Sequence, residues 1–150
     1  MKLLATDMDG TFLRDDKSYS DEFNDLYKQM LKQGIQFVIA SGNQYEALVC
    51  KFDDDIKDDL YYLCENGTKI VYQGKTLYKK ALKKEDAKEI LDILKQDQEC
   101  MLVVSGDKHA YISKSFENKK DFISLFMKNV QFVESYDDME DDILKFSIAS

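Results

Sequence analysis

Leu3-Leu4-Ala5-Thr6-Asp7-Met8-Asp9-Gly10-Thr11 decides how the rest of the chain is read. An apolar run ends in two acids spaced i, i+2, followed by a glycine and a hydroxyl residue. Side chains two apart on an extended strand point to the same side, so Asp7 and Asp9 project together from a strand end. Gly10 lets the backbone turn sharply or come close to a ligand. Two carboxylates held this close repel, and a bound cation or a raised pKa relieves the repulsion. A carboxylate pair with a metal at a strand tip suits attack on a phosphoryl group.

Working outward, residues 2–6 read as a buried strand, because a continuous apolar run suits a parallel sheet covered on both faces. Residues 11–19 are polar and read as loop. Over 20–33, Phe23, Leu26, Tyr27, Met30 and Leu31 follow helical spacing, with Ser20 as a cap and Gly34 at the C-terminal end. Residues 35–40 form a second buried-strand pattern. This β-α-β unit has a right-handed crossover and parallel strands, which brings the tip after Ala40 beside the tip that carries Asp7. Ser41-Gly42-Asn43 lies there, before a helix over 44–52. A third strand, 61–64, ends at Glu65-Asn66-Gly67, and a hairpin turns at Gln73-Gly74-Lys75.

From about residue 83 the pattern restarts: a helix over 85–96, a hairpin of 100–105 and 109–113, a helix over 118–128, and strands at 131–134 and 143–149. Phe122, Leu125 and Phe126 are expected to face inward on the second of these helices. The expectation is an α/β chain with a partial Rossmann-like parallel core over 1–82. A smaller α/β domain with an antiparallel sheet follows over 83–150. Only about three parallel strands are in place, so the sheet has an open edge, which predicts either added chain or self-association.

With 44% hydrophobic residues among 150, a packed core is expected. The net charge of −8 argues against a nucleic-acid binder and makes an anionic substrate awkward unless local cations offset the field. No apolar run approaches the roughly 20 residues that span a bilayer. The first residues run straight into the acidic motif, so no signal peptide is expected. Cys50, Cys64 and Cys100 are scattered and read as reduced, packed thiols of a cytoplasmic protein.

Each motif has a plainer reading. Ser41-Gly42-Asn43 can be an ordinary loop with Ser41 as an N-cap; beside Asp7, a hydroxyl and free N–H groups at a helix start make a phosphate seat. Glu65-Asn66-Gly67 can be a simple turn or place Asn66 on the substrate side. His109, the one histidine, reads as a surface or packed residue.

The string Asp7-Met8-Asp9-Gly10-Thr11-Phe12-Leu13 resembles the first motif of the haloacid dehalogenase-like phosphatases. Ser41-Gly42 matches their second, and Ala40 to Tyr45 with Glu65-Asn66-Gly67 resembles the Cof-type sugar-phosphate phosphatases, in which a cap follows the core. The resemblance implies that Asp7 is the nucleophile that takes the phosphoryl group and Asp9 the acid and base. It further implies Mg²⁺ bridging Asp7, the Asp9 carbonyl and a small phosphorylated substrate. Met8, Gly10, Ser41 and Gly42 are thereby assigned to phosphate, and Asn43 and Asn66 to substrate. The family's lysine motif and later acidic motif have no match, so the chain resembles the first part of a longer enzyme, weak or inactive alone. A non-catalytic module binding a phospho-ligand or partner is the competing class. A receiver domain, which also phosphorylates an aspartate, is a third, but receivers carry that residue on a later strand.

Overall fold

The computed structural model describes residues 2–97 and 99–149. They divide into two compact units, one up to Lys79 and one from Lys80; the sequence pattern had suggested a division at 82/83.

The first unit runs β1 (Lys2–Asp7), α1 (Phe23–Lys32), β2 (Ile35–Ala40), α2 (Tyr45–Val49), β3 (Tyr61–Cys64), β4 (Lys69–Tyr72) and β5 (Lys75–Lys79). Its sheet has the order β1-β2-β3-β4-β5. The first three strands are parallel and the last two antiparallel. The α/β class expected from the sequence is what forms. Asp7 pairs with Ala40, and Ala40 with Leu63. The three parallel strands therefore end level, and the loops that follow them are neighbours.

The core lies between α1 and the sheet. Phe23 and Tyr27 supply the buried stripe of α1 and meet Phe37, Phe52 and Tyr62. Phe12, just past the acidic turn, packs into this aromatic group with its ring 4.7 Å from that of Phe23. The acidic turn is thus anchored to the core by the side chain that follows it. The buried phenols keep their hydrogen bonds: Tyr27 donates to the Asp59 carbonyl at 2.7 Å and Tyr62 to the Lys57 carbonyl at 2.8 Å.

Three expectations are corrected here. First, β1 is exposed, with Leu3 at 63% and Leu4 at 46%. An apolar parallel strand is buried only between two neighbours, and β1 stands at the sheet edge with β2 as its one partner. Second, Leu26 is more than half exposed on α1. It borders a cavity of about 690 Å³ along that edge, lined also by Leu4, Thr6, Phe23 and Phe37. Third, Ser20 does not cap α1, which starts at Phe23 without a side-chain cap; the Ser20 hydroxyl accepts from the Glu22 N–H instead.

The second unit runs α3 (Lys84–Leu94), β6 (Met101–Gly106), β7 (Ala110–Ser113), α4 (Lys120–Ser124), β8 (Val130–Val133) and β9 (Ile143–Ala149). Its sheet order is β8-β7-β6-β9. β7 and β8 pair in parallel, so the sheet is mixed rather than antiparallel. Along β6 the side chains alternate between two apolar clusters. Leu102 and Val104 join Leu91 and Tyr111, whereas Met101 and Val103 join Ile112 and Ile123. Phe122, Leu125 and Phe126 are exposed, not inward, and Ile123 is the buried residue of α4. A 3₁₀ segment, Lys114–Lys119, leads into α4. α4 ends at Ser124, so Leu125 and Phe126 lie beyond it. Asp141 closes the β6–β7 hairpin. Its carboxylate accepts from the backbone N–H groups of Asp107, Lys108, His109 and Asp142 and from the Tyr111 hydroxyl.

Candidate active site

Three loops leave the level ends of β1, β2 and β3. The first is a tight turn in which the Met8 carbonyl accepts from the N–H groups of Phe12 and Leu13 at 3.1 and 2.9 Å. Gly10 makes this possible at φ +72°, a left-handed conformation that costs other residues energy. Asp7 and Asp9 are both exposed here, whereas the Met8 side chain is wholly buried in the core. Met8 therefore offers a ligand only its backbone.

The second and third loops are locked to each other. Ser41 N–H donates to the Leu63 carbonyl at 2.9 Å, Asn66 N–H to the Ser41 carbonyl at 3.1 Å, and Glu65 N–H to the Asn43 carbonyl at 3.1 Å. The Ser41 hydroxyl accepts from the Asn43 N–H at 3.1 Å within the loop; it does not cap α2, whose N-cap is Gln44 without a side-chain hydrogen bond. Glu65, Asn66 and Gly67 sit consecutively at φ +50°, +59° and +87°. Each left-handed non-glycine residue costs on the order of 1–3 kcal/mol and persists where its surroundings over-determine it, as at functional sites. A Cβ on Gly42 would lie 2.7 Å from Asn66 Oδ1. Glycine at 42 is therefore what admits the Asn66 amide to the second tip.

Asp9 joins the first loop to the second. Its Oδ2 accepts from Asn43 Nδ2 at 3.4 Å, and its Oδ1 from Lys17 Nζ at 2.9 Å. The Lys17 hydrogen bond holds the Asp9 carboxyl below the usual carboxylate range; the charge of Lys17, the Asn43 amide and the charge of Lys51 act the same way, against partial burial. Asp7, Asp9, Asn43, Gly42, Ser41 and Asn66 thus occupy adjoining loops. His109 lies in the other unit, in the hairpin that Asp141 closes.

In the sequence Lys17 is only one residue of a polar loop. It stands at φ +65°, in a turn where Lys17 N–H donates to the Arg14 carbonyl and Arg14 N–H to the Ser18 carbonyl. Arg14 Nη1 also donates to the Tyr19 carbonyl at 3.1 Å, and Asp16 accepts from the Ser18 N–H and hydroxyl. The Lys17–Asp9 pair is about half exposed on both sides. Such pairs contribute roughly 0–1 kcal/mol, no more than the backbone conformation costs. Nothing in the spacing of a lone lysine eight residues beyond Asp9 singles it out.

Among the described residues no group of three or more His, Cys, Asp or Glu side chains could enclose a metal. A closed structural metal centre does not fit. The two carboxylates do fit Mg²⁺, which is bound through one or two carboxylates and keeps water and phosphate oxygens as its other ligands.

Residues 4–149 match the model of the haloacid dehalogenase-like hydrolases. The chain is 35% identical over 150 residues to the 5-amino-6-(5-phospho-D-ribitylamino)uracil phosphatase YbjI of Escherichia coli K12. That alignment takes in 99% of this chain and 55% of YbjI, so the chain spans about half the length of this curated relative. The solved structure of SMU.1108c from Streptococcus mutans UA159 superposes with a TM-score of 0.87 at 31% identity, over 98% of this chain and 56% of that one. A haloacid dehalogenase-like hydrolase from B. subtilis shares the fold, with a TM-score of 0.77 at 19% identity over 95% of this chain and 59% of its own. Asp7-Met8-Asp9-Gly10-Thr11 and Ser41-Gly42 lie inside the matched span, and the chain belongs to the haloacid dehalogenase-like hydrolase family.

Proposed function

We propose that this chain carries the nucleophile half of a Mg²⁺-dependent phosphatase acting on small phosphomonoesters of sugars or polyols. The unit up to Lys79 is its catalytic core and the unit from Lys80 its cap. The observation that carries the reading is the shared register of β1, β2 and β3, which sets Asp7 and Asp9 beside Ser41, Gly42 and Asn43. The preference for a polyol phosphate rests on YbjI, whose name specifies a phosphorylated ribityl group.

In this mechanism the Asp7 carboxylate attacks phosphorus. The bond to the ester oxygen breaks, and Asp9 delivers a proton to the departing oxygen, a contribution of roughly 10²–10⁴-fold; because Lys17 holds the Asp9 carboxyl below the usual range in the free protein, Asp9 first takes that proton up from water as the substrate phosphate approaches. Water then attacks the aspartyl phosphate, giving its proton to Asp9 and returning Asp7 and free phosphate. Ser41, the Gly42 N–H and the backbone at Met8 and Gly10 hold the phosphate oxygens, and Asn43 and Asn66 face the substrate. The Asp7 side chain and Asp9 would hold Mg²⁺, which when bound would supply positive charge against which two carboxylates and a phosphate can meet. With so few protein ligands for that ion, turnover by the 150-residue chain alone is weak.

Phosphate release from ribitol 5-phosphate and a panel of sugar phosphates tests this. The expected result is slow release that requires Mg²⁺ and disappears in Asp7→Asn. Release that continues in Asp7→Asn, or without the metal, contradicts it.

A further inference from the structure

Lys17 is the cation nearest the acidic tip, and the fold has built a loop to put it there. The loop is fixed from several sides. Arg14 bonds the Ser18 hydroxyl and the Tyr19 carbonyl, Asp16 holds Ser18, and the Lys17 and Arg14 N–H groups close the turn. Lys17 itself stands in the left-handed region without being a glycine. Its ammonium uses one donor on Asp9 Oδ1 at 2.9 Å, and an ammonium has three. An exposed ion pair contributes too little to account for such a loop. What the loop does achieve is a positive charge in direct contact with one of two carboxylates in a chain of net charge −8, where it offsets their repulsion of an incoming phosphate. Lys51 also acts on Asp9, as the last of the causes that shift it.

We propose that Lys17 is a substrate-contacting residue, the phosphate-binding cation supplied by the chain itself. In the free protein its ammonium rests on Asp9. When a phosphoryl group enters between Asp7 and Ser41, the ammonium moves onto a phosphate oxygen and leaves Asp9 Oδ1 open toward the ester oxygen. A phosphate that Asp9 can reach necessarily lies beside the ammonium that shares Asp9, and a lysine stem covers that step by a change of rotamer. The proposal rests on the phosphoryl-site reading above.

Calorimetric titration of the 150-residue chain with inorganic phosphate, in Mg²⁺, tests it without any need for turnover. Wild type should bind phosphate. Lys17→Ala should weaken binding about tenfold with an unchanged melting temperature, since a charge-assisted contact to the anion is lost. Lys17→Arg should recover most of the affinity. Lys28→Ala removes the same charge from a remote pair with Asp55 and should bind as wild type. Phosphate binding that survives Lys17→Ala, or that falls equally in Lys28→Ala, overturns the proposal while leaving the phosphoryl site standing. No binding by wild type overturns both.

Discussion

Gly42 and Asn66 show how closely the site is fitted at single residues. A methyl group at 42 would meet Asn66 Oδ1 at 2.7 Å, while the left-handed backbone at Asn66 limits where that amide can go. Gly42→Ala should therefore weaken phosphate binding severalfold while costing about 1 kcal/mol or less of stability, because a side-chain end can swing away. Pairing it with Asn66→Gly should restore the stability, and denaturant midpoints of the two singles and the double read this directly. The cysteines offer a second check. Burial pushes the Cys64 thiol up to about 12, and its side chain is fully enclosed, whereas Cys50 is exposed. Iodoacetamide at pH 8 should modify Cys50 and reach Cys64 only after denaturation; rapid labelling of Cys64 in the native chain contradicts the packing. At this scale the motif residues were legible because their chemistry is local. Lys17 was not, since its role depends on where a loop folds back.

Among the elements, strands were read almost to the residue. Ile35–Ala40 and Tyr61–Cys64 are short apolar runs bounded by glycine or polar residues, and both form as expected. The helices at 20–33 and 118–128 were read too long. In the second, α4 spans only Lys120–Ser124, so Leu125 and Phe126 fall beyond the helix expected to carry them with Phe122, and Ile123 is the residue it buries. The latch on the β6–β7 hairpin had no sequence signal, because Asp141 lies more than thirty residues from the N–H groups it caps. Asp141→Ala leaves those donors without their acceptor and should destabilise the second unit by roughly 2–3 kcal/mol, with Asp141→Asn recovering part of it. Chemical denaturation followed by the tyrosines measures this; an unchanged midpoint means that water replaces the carboxylate at no cost.

Taken whole, the molecule has two global properties that follow from its packing. Burial raises Cys64, Tyr27 and Tyr62 above their ordinary values. In the unfolded chain these groups ionise near pH 8.5 for cysteine and near pH 10 for tyrosine. Their folded-state pKa values are raised, so the stability they contribute is complete below about pH 8.5 and is lost as pH climbs toward 12. Between pH 7 and pH 10.5 the unfolding free energy should fall by about 4 kcal/mol, and a flat profile would place these groups in solvent. The second property is the bare edge of β1. Its exposed leucines and one-sided pairing should make the 150-residue chain self-associate at high concentration. Leu4→Lys on that edge should keep it monomeric in sedimentation. The sequence pattern predicts an open sheet edge, but it places β1 inside because an apolar strand reads the same whether or not it has a second neighbour. Throughout, no described helix is long and apolar enough to cross a membrane.

The central claim is that Asp7 is the phosphoryl acceptor. Beryllofluoride binds a nucleophilic carboxylate as a phosphoryl mimic and needs no turnover, so ¹⁹F NMR of the chain with Mg²⁺ and beryllofluoride tests the claim directly. A protein-bound fluoride resonance that requires Mg²⁺, persists in Asp9→Asn and vanishes in Asp7→Asn is the predicted result. No bound resonance in wild type, or one that Asp7→Asn leaves unchanged, contradicts it.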